Sequence, residues 1–203
     1  LGLANSLYWQ KYANQERLAI MGVHFKTTND ATQYYGQAEE GSGRALLEGL
    51  NNLAKKYKDL NLQNLPFLLR GYSAGGVFSY SFSAFEAERV IAFANIRGGG
   101  LDLTNDANKS VLGMMFYGEN DLEQRRKRIT EIVELKREIG GLWNMAEEPN
   151  VDHFGGLKET DDLIQAFFSI ALEKRVQENS NELLNLDEGM GWLGNHISHE
   201  VAS

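Results

Sequence analysis

The chain contains no cysteine, which excludes disulfides, thiolate catalysis and metal sites built on sulfur, though it does not fix a compartment. It also lacks any segment long and apolar enough to span a membrane, and no signal peptide is visible. The sequence opens at Leu1 without a methionine, so the expectation is a processed or truncated N-terminus. Positive charge is in short supply: 20 Lys and Arg against 28 Asp and Glu leave a net charge of −8, which argues against a general nucleic-acid partner. The one dense basic run, Arg125-Arg126-Lys127-Arg128, sits among acidic residues on a predicted helix and reads as a solvated helix face. Internal repeats and low-complexity linkers are absent. Histidine is scarce too, with His24, His153, His196 and His199 the only four, so any chemistry that needs an imidazole has few places to find one.

What the sequence does contain is enough apolar material for a substantial core. A hydrophobic fraction of 42%, ten phenylalanines and 203 residues describe a globular chain, expected to form one domain over residues 1–203 with 177–203 as a tail docked on the body. Residues 7–14 carry helical spacing, with Asn5 or Ser6 as N-cap. Leu18 to Phe25 is a continuous apolar run, predicted to be a buried parallel strand, and a polar loop follows from Thr27 to Gly43. Ala45 to Tyr57 predicts an amphipathic helix with Leu46, Leu50, Leu53 and Tyr57 on one face. Short apolar runs at 66–70, 90–94 and 111–117 predict further strands, and 142–145 a short one. Helices are predicted over 122–139, with Ile129, Ile132, Val133 and Ile139 inward, and over 161–176. Met190, Trp192 and Leu193 suggest how the tail docks. Apolar strands alternating with amphipathic helices predict an α/β fold with a mostly parallel sheet flanked by helices.

The most informative stretch is Gly71-Tyr72-Ser73-Ala74-Gly75-Gly76. As a bare string, G-x-S-x-G arises by chance in roughly one chain of this size in fifteen. Its flanks give it weight, because a short apolar strand precedes it and a helix rich in aromatics, Val77 to Phe85, follows. Strand, sharp Gly-Ser-Gly turn and helix is the layout of a nucleophile elbow, in which small residues on either side of the serine permit a strained turn and close approach of neighbours. The turn would push the Ser73 hydroxyl out at the end of the sheet and aim helix-start amides at the reacting centre, with the Ala74 N–H as an oxyanion donor. Tyr72 and His24, the latter ending an early strand on the same sheet edge, are expected to line the substrate pocket.

A serine hydroxyl is a poor nucleophile unless an imidazole takes its proton, and that imidazole needs an anionic partner. His153 lies after the last predicted strand and before the final helix, at the sheet edge where such a base belongs. Asp121 is the leading acid, a short turn beyond a buried strand, with the alternative that it simply caps the helix that follows. Glu119 on the same turn is second choice and Asp102, after the preceding strand, is third. His196 and His199 form His-x-x-His before Glu200, which does not match the zincin spacing, so a metal site there is not favoured.

From Tyr8-Trp9-Gln10-Lys11-Tyr12-Ala13 and Arg17-Leu18-Ala19-Ile20, through the Gly71–Gly76 turn and Gly118-Glu119-Asn120-Asp121, to Asp152-His153, the chain resembles the α/β-hydrolase superfamily. Within it, the chain is similar to small secreted esterases of the polyhydroxybutyrate depolymerase or feruloyl esterase type. The resemblance covers about residues 4 to 176. It implies Ser73, Asp121 and His153 as a catalytic triad, no cofactor, a small-molecule or polymer-linked ester as substrate, and a secreted or periplasmic location. It also implies that 17–25 is the family's fourth strand and that the strands before it are missing from this chain. A complementing N-terminal segment would then run between 18–25 and 66–70, and would carry the second oxyanion donor. A serine peptidase or amidase on the same fold, and a non-catalytic module binding a glycan or acyl group, are the alternatives to an esterase.

Overall fold

The computed structural model describes residues 2–26, 34–58, 62, 64–177 and 182–186. Strands β1 (Phe67–Tyr72), β2 (Val90–Ile96), β3 (Leu112–Gly118) and β4 (Trp143–Glu148) form one parallel sheet in that spatial order. Helices α1 (Leu7–Gln15), α2 (Ser42–Lys56), α3 (Ala74–Phe85), α4 (Glu123–Glu138) and α5 (Lys158–Arg175) cover it. Because β2 has a partner on either side and helices over both faces, each of its residues is buried, as its unbroken apolar run requires. Alternate residues along the strands serve opposite faces. Phe93 and Met115 join Leu46 of α2, Phe78 and Phe82 of α3, and Ile129, Ile132 and Val133 of α4 in one apolar cluster. Ala92, Ala94, Ile96, Met114 and Phe116 turn the other way, onto Trp9 and Tyr12 of α1 and Ile164, Phe168 and Ala171 of α5. The molecule is thus a three-layer α/β arrangement, as the alternating pattern predicts.

Residues 18–26 depart from expectation. They form no ladder with β1 or with any other described strand. An apolar run becomes a strand only where a neighbouring strand accepts its backbone hydrogen bonds, and here the Leu18 N–H turns back to the Ala13 carbonyl at 2.7 Å while the rest is held through side chains. Leu18 and Ile20 pack on the α1–α5 cluster, and Phe25 sits against Phe78 and Tyr35, while Met21 and Val23 remain 42% and 41% exposed. The apolar face of α2 is affected in the same way: Leu46 is buried and Leu50 half-buried, but Leu53 and Tyr57 are exposed.

Two smaller corrections concern α4 and the tail. Ile139 lies just past the last turn of α4 and is exposed, and Lys136 holds the inward position instead. Its stem is fully buried and its ammonium reaches the Asn105 carbonyl at 2.5 Å and the Asp106 carboxylate at 2.6 Å. Of the tail, Leu183 bridges Val176 and Leu184 exchanges hydrogen bonds with Arg175, whose guanidinium also donates to the carbonyls of Val90 and Ile91. Met190, Trp192, Leu193, His196 and His199 lie outside the described residues. Among the described residues no helix is long and apolar enough to cross a membrane.

Trp143 opens β4 and is the largest fully buried side chain among the described residues, edge-on to Phe93 and Tyr80 and donating its indole N–H to the Val111 carbonyl at 2.9 Å. Trp143→Phe removes that donor and leaves a void between the rings. Urea unfolding should show a loss of about 2–3 kcal/mol with an unchanged slope.

Candidate active site

Parallel strands deliver all their carboxyl ends to one edge of a sheet, and ligands of open α/β sheets bind there. At this edge the chain leaves through Ser73 after β1, Arg97 and Gly98 after β2, Glu119 to Asp121 after β3, and 149–157 after β4.

Ser73 joins β1 directly to α3 with φ +54° and ψ −119°, a left-handed conformation that a residue with a Cβ adopts only under constraint. Its N–H is held by the Ile96 carbonyl at 2.8 Å, and its own carbonyl accepts the Val77 N–H that starts the helix. The turn is so tight that a Cβ on Gly71 would stand 1.9 Å from the Gly75 carbonyl oxygen. The second crowded glycine is Gly76, where a Cβ would meet the Asn95 side chain at 2.3 Å. Gly75, the glycine that the string itself points to, has open space. Ala74 is the first residue of α3, so helix geometry gives its N–H no intrahelical acceptor and directs it toward the sheet edge.

His153 comes from the loop after β4. Its Nε2 lies 2.9 Å from Ser73 Oγ, and its Nδ1 lies 3.2 Å from Asp121 Oδ2. Asp121 is buried, and its two oxygens divide the work: Oδ1 accepts the Leu122 N–H at 2.7 Å and pairs with Arg125, leaving Oδ2 to face the imidazole. The residue that holds the backbone at the entry to α4 and the partner of His153 are therefore the same, although the N-cap position itself belongs to Leu122 and the helix has no side-chain cap. Neither alternative acid reaches the imidazole. Glu119 is exposed and accepts the Asn150 N–H. Asp102 is engaged by the Thr104 N–H and hydroxyl, which hold its pKa below the ordinary aspartate value.

Tyr72 lies directly beneath. Its ring stacks on the imidazole, centroids 5.5 Å apart, and its hydroxyl donates to the His153 carbonyl at 2.5 Å. On another side Phe154 stands edge-on to His153 at 5.0 Å and is 83% exposed. His24 is exposed and lines a groove of about 710 Å³ between residues 21–26 and α2, a groove that does not include Ser73 or His153. The basic run pairs with acidic side chains one helical turn away, Arg125 with Asp121, Lys127 with Glu123 and Arg128 with Glu131. Among the described residues no three His, Asp or Glu side chains gather as a metal site.

Sequence reasoning missed two residues, Arg97 and Glu148. Arg97 follows the all-buried β2, is itself fully buried, and has φ +56°. Its Nε and Nη2 grip Glu148, both at 2.6 Å, while Nη1 donates to the carbonyls of His153 (3.1 Å) and Gly155 (3.0 Å) and Nη2 to that of Gly156 (3.1 Å). Burial works against the guanidinium charge, but the hydrogen bonds and opposite charge of Glu148 outweigh it, so the pKa ends above its usual value. The available signal was a charged residue placed directly after the wholly buried β2, with a second at the very end of β4.

No family model and no curated protein sequence matches this chain. Among solved structures it is similar to an uncharacterized protein from Bacillus cereus ATCC 10987, at TM-score 0.58 and 15% identity over 82% of this chain and 54% of that one. It is also similar to esterase PE8, at TM-score 0.55 and 15% identity over 74% and 68% of the two chains. The fold is α/β-hydrolase-like. A thermostable esterase aligns at 21% identity and TM-score 0.44 over 63% of this chain. The chain spans about a third of that esterase's length and about half of the Bacillus protein's.

The crowding around the turn separates its glycines. Gly71→Ala should cost 3 kcal/mol or more, because backbone must move to admit the methyl. Gly75→Ala should leave stability unchanged or raise it by up to about 1 kcal/mol, since alanine suits a helix and nothing obstructs it. Thermal melts of the two variants compare them directly.

Proposed function

We propose that this chain hydrolyses carboxylic esters through Ser73, His153 and Asp121, by way of an acyl-enzyme. The observation that carries this reading is the unbroken line from Ser73 Oγ through the two ring nitrogens of His153 to Asp121 Oδ2, with the serine at the apex of a left-handed turn. Asp121, an acceptor, draws the Nδ1 proton and leaves Nε2 with the lone pair that accepts the Ser73 O–H. In the acylation step Oγ attacks the ester carbonyl carbon as its proton passes to Nε2. The tetrahedral intermediate bears its negative charge on the former carbonyl oxygen, and the Ala74 N–H at the positive end of α3 is the donor proposed to meet it. Collapse expels the alkoxide, which takes the proton from Nε2 and departs as the alcohol. Water then repeats the sequence on the acyl-serine, with His153 again as base, and releases the acid and free Ser73. The stacked Tyr72 ring and the buried Asp121 support the imidazole in the orientation this needs. The α/β-hydrolase-like fold supports the same reading, since it puts all three residues on loops at one sheet edge.

A fluorophosphonate should attach covalently to Ser73, located by peptide mass spectrometry, and short p-nitrophenyl esters should be turned over. Ser73→Ala should abolish the label and reduce turnover by more than about a thousandfold, and persistence of activity above that level would overturn the proposal. Hydrolysis of anilides at rates matching the esters would turn the reading toward an amidase.

Asp121→Asn tests the acid separately. The amide presents an N–H where Nδ1–H needs an acceptor, so kcat should fall by about 10³–10⁴ while the protein still folds. Retained turnover with a lowered melting temperature would leave Asp121 as a helix cap alone.

A further inference from the structure

At the end of β2 two consecutive residues reach the two halves of the Ser73–His153 pair. The Ile96 carbonyl accepts the Ser73 N–H at 2.8 Å and so fixes the turn. The next residue, Arg97, sends its side chain to the opposite partner and donates to the backbone carbonyl of His153 itself. We infer that Arg97, locked by Glu148, is the positioning residue that sets His153 against Ser73, an inference that rests on the hydrolase reading above.

The geometry of the guanidinium carries it. All five N–H groups of Arg97 are in use: two hold the Glu148 carboxylate, and three hold the carbonyls of His153, Gly155 and Gly156. Those three carbonyls belong to a loop that ends in paired glycines, the backbone with the most freedom to lose and therefore the one most in need of an external frame. Glu148 closes β4, where the loop departs, and its Oε1 also accepts the hydroxyl of Thr160 near the start of α5, where the loop returns. The frame is thus anchored at both ends of the loop and at its middle. On the other side, the Arg97 N–H is bonded to the Phe116 carbonyl at 2.9 Å, which ties the frame to β3, the strand that leads to Asp121. The left-handed backbone at Arg97 is a local cost that a generic core residue would have no reason to retain. A lysine would supply the charge without the planar fork, with three donors in place of five.

A mutant cycle separates positioning from mere stability. Parent, Arg97→Lys, His153→Ala and the double variant are compared by p-nitrophenyl acetate hydrolysis and by the rate of fluorophosphonate labelling, each at a temperature where circular dichroism shows the variant folded. If Arg97 acts through His153, Arg97→Lys lowers kcat about 100-fold with KM within about twofold, because a displaced base loses reactivity without losing the bound substrate. In the His153→Ala background the same change then costs less than about twofold, since no base remains to be placed. Equal losses in both backgrounds would overturn the inference, and so would a folded Arg97→Lys as fast as the parent. Glu148→Gln runs through the same cycle if Arg97→Lys does not fold. Should neither variant fold, the pair holds the fold and not the base, and the inference is wrong. A His153→Ala variant as active as the parent would instead bring down the hydrolase reading itself, a different result from any of these.

Discussion

Burying a guanidinium and a carboxylate together removes both from water, and each ion loses hydration worth several kcal/mol even after the protein relaxes. The Arg97–Glu148 pair meets that cost through completeness: the cation has a partner for every N–H, and the anion has both oxygens engaged. Such a pair is weak evidence for net stability, because well-packed apolar side chains of the same volume often do as well. What apolar side chains cannot do is hold three loop carbonyls in fixed directions. The ends of β2 and β4, the return of the loop into α5 and the backbone of His153 all converge on this one planar group.

The sheet supplies the second constraint. Four parallel strands in sequence order bring the ends of β1, β3 and β4 to one edge, so residues 73, 121 and 153 meet without the chain crossing itself. Asp121 illustrates the economy of such an edge. One carboxylate oxygen holds the Leu122 N–H at the entry to a helix and the other faces an imidazole, so an interaction that is local in sequence preorganises one that spans 32 residues.

Much of this was legible in the residues, for identifiable reasons. β2 and β3 announce themselves because central parallel strands must be apolar on both faces, and the Ser73 turn because its glycines and flanking elements together permit little else. His153 was legible through scarcity, since few imidazoles were available and only one lay between the last strand and the final helix. The failures all involve partners that sequence does not display. The run at 18–25 is apolar enough for a strand, yet strandhood requires a neighbour, and none is found among the described residues. The outward Leu53 and Tyr57 show the same dependence for α2, and the burial of Lys136 depends on a carbonyl and a carboxylate 31 and 30 residues away. Of the two glycines that flank Ser73 in the string, Gly71 is crowded as the turn demands and Gly75 is not; the second crowded position is Gly76, because the obstruction is an asparagine on the adjacent strand. Arg97 and Glu148 lie 51 residues apart, and each alone looks like an ordinary charged residue leaving a strand.

The sequential order of the strands has a consequence for how the molecule assembles. Each strand added to the sheet lies beside the one made just before it, so every ladder closes over a modest length of chain and the loop-closure entropy rises in small steps. The sheet can therefore grow in the direction of synthesis, one strand at a time. The serine turn is completed early, when β2 pairs with β1 and the Ile96 carbonyl captures the Ser73 amide. Its imidazole lies 80 residues further along, and in growth of that order the guanidinium that receives the loop would stay open to water until β4 docks. Burial of that charge and assembly of the site would then be one event, the last in the vectorial formation of this sheet.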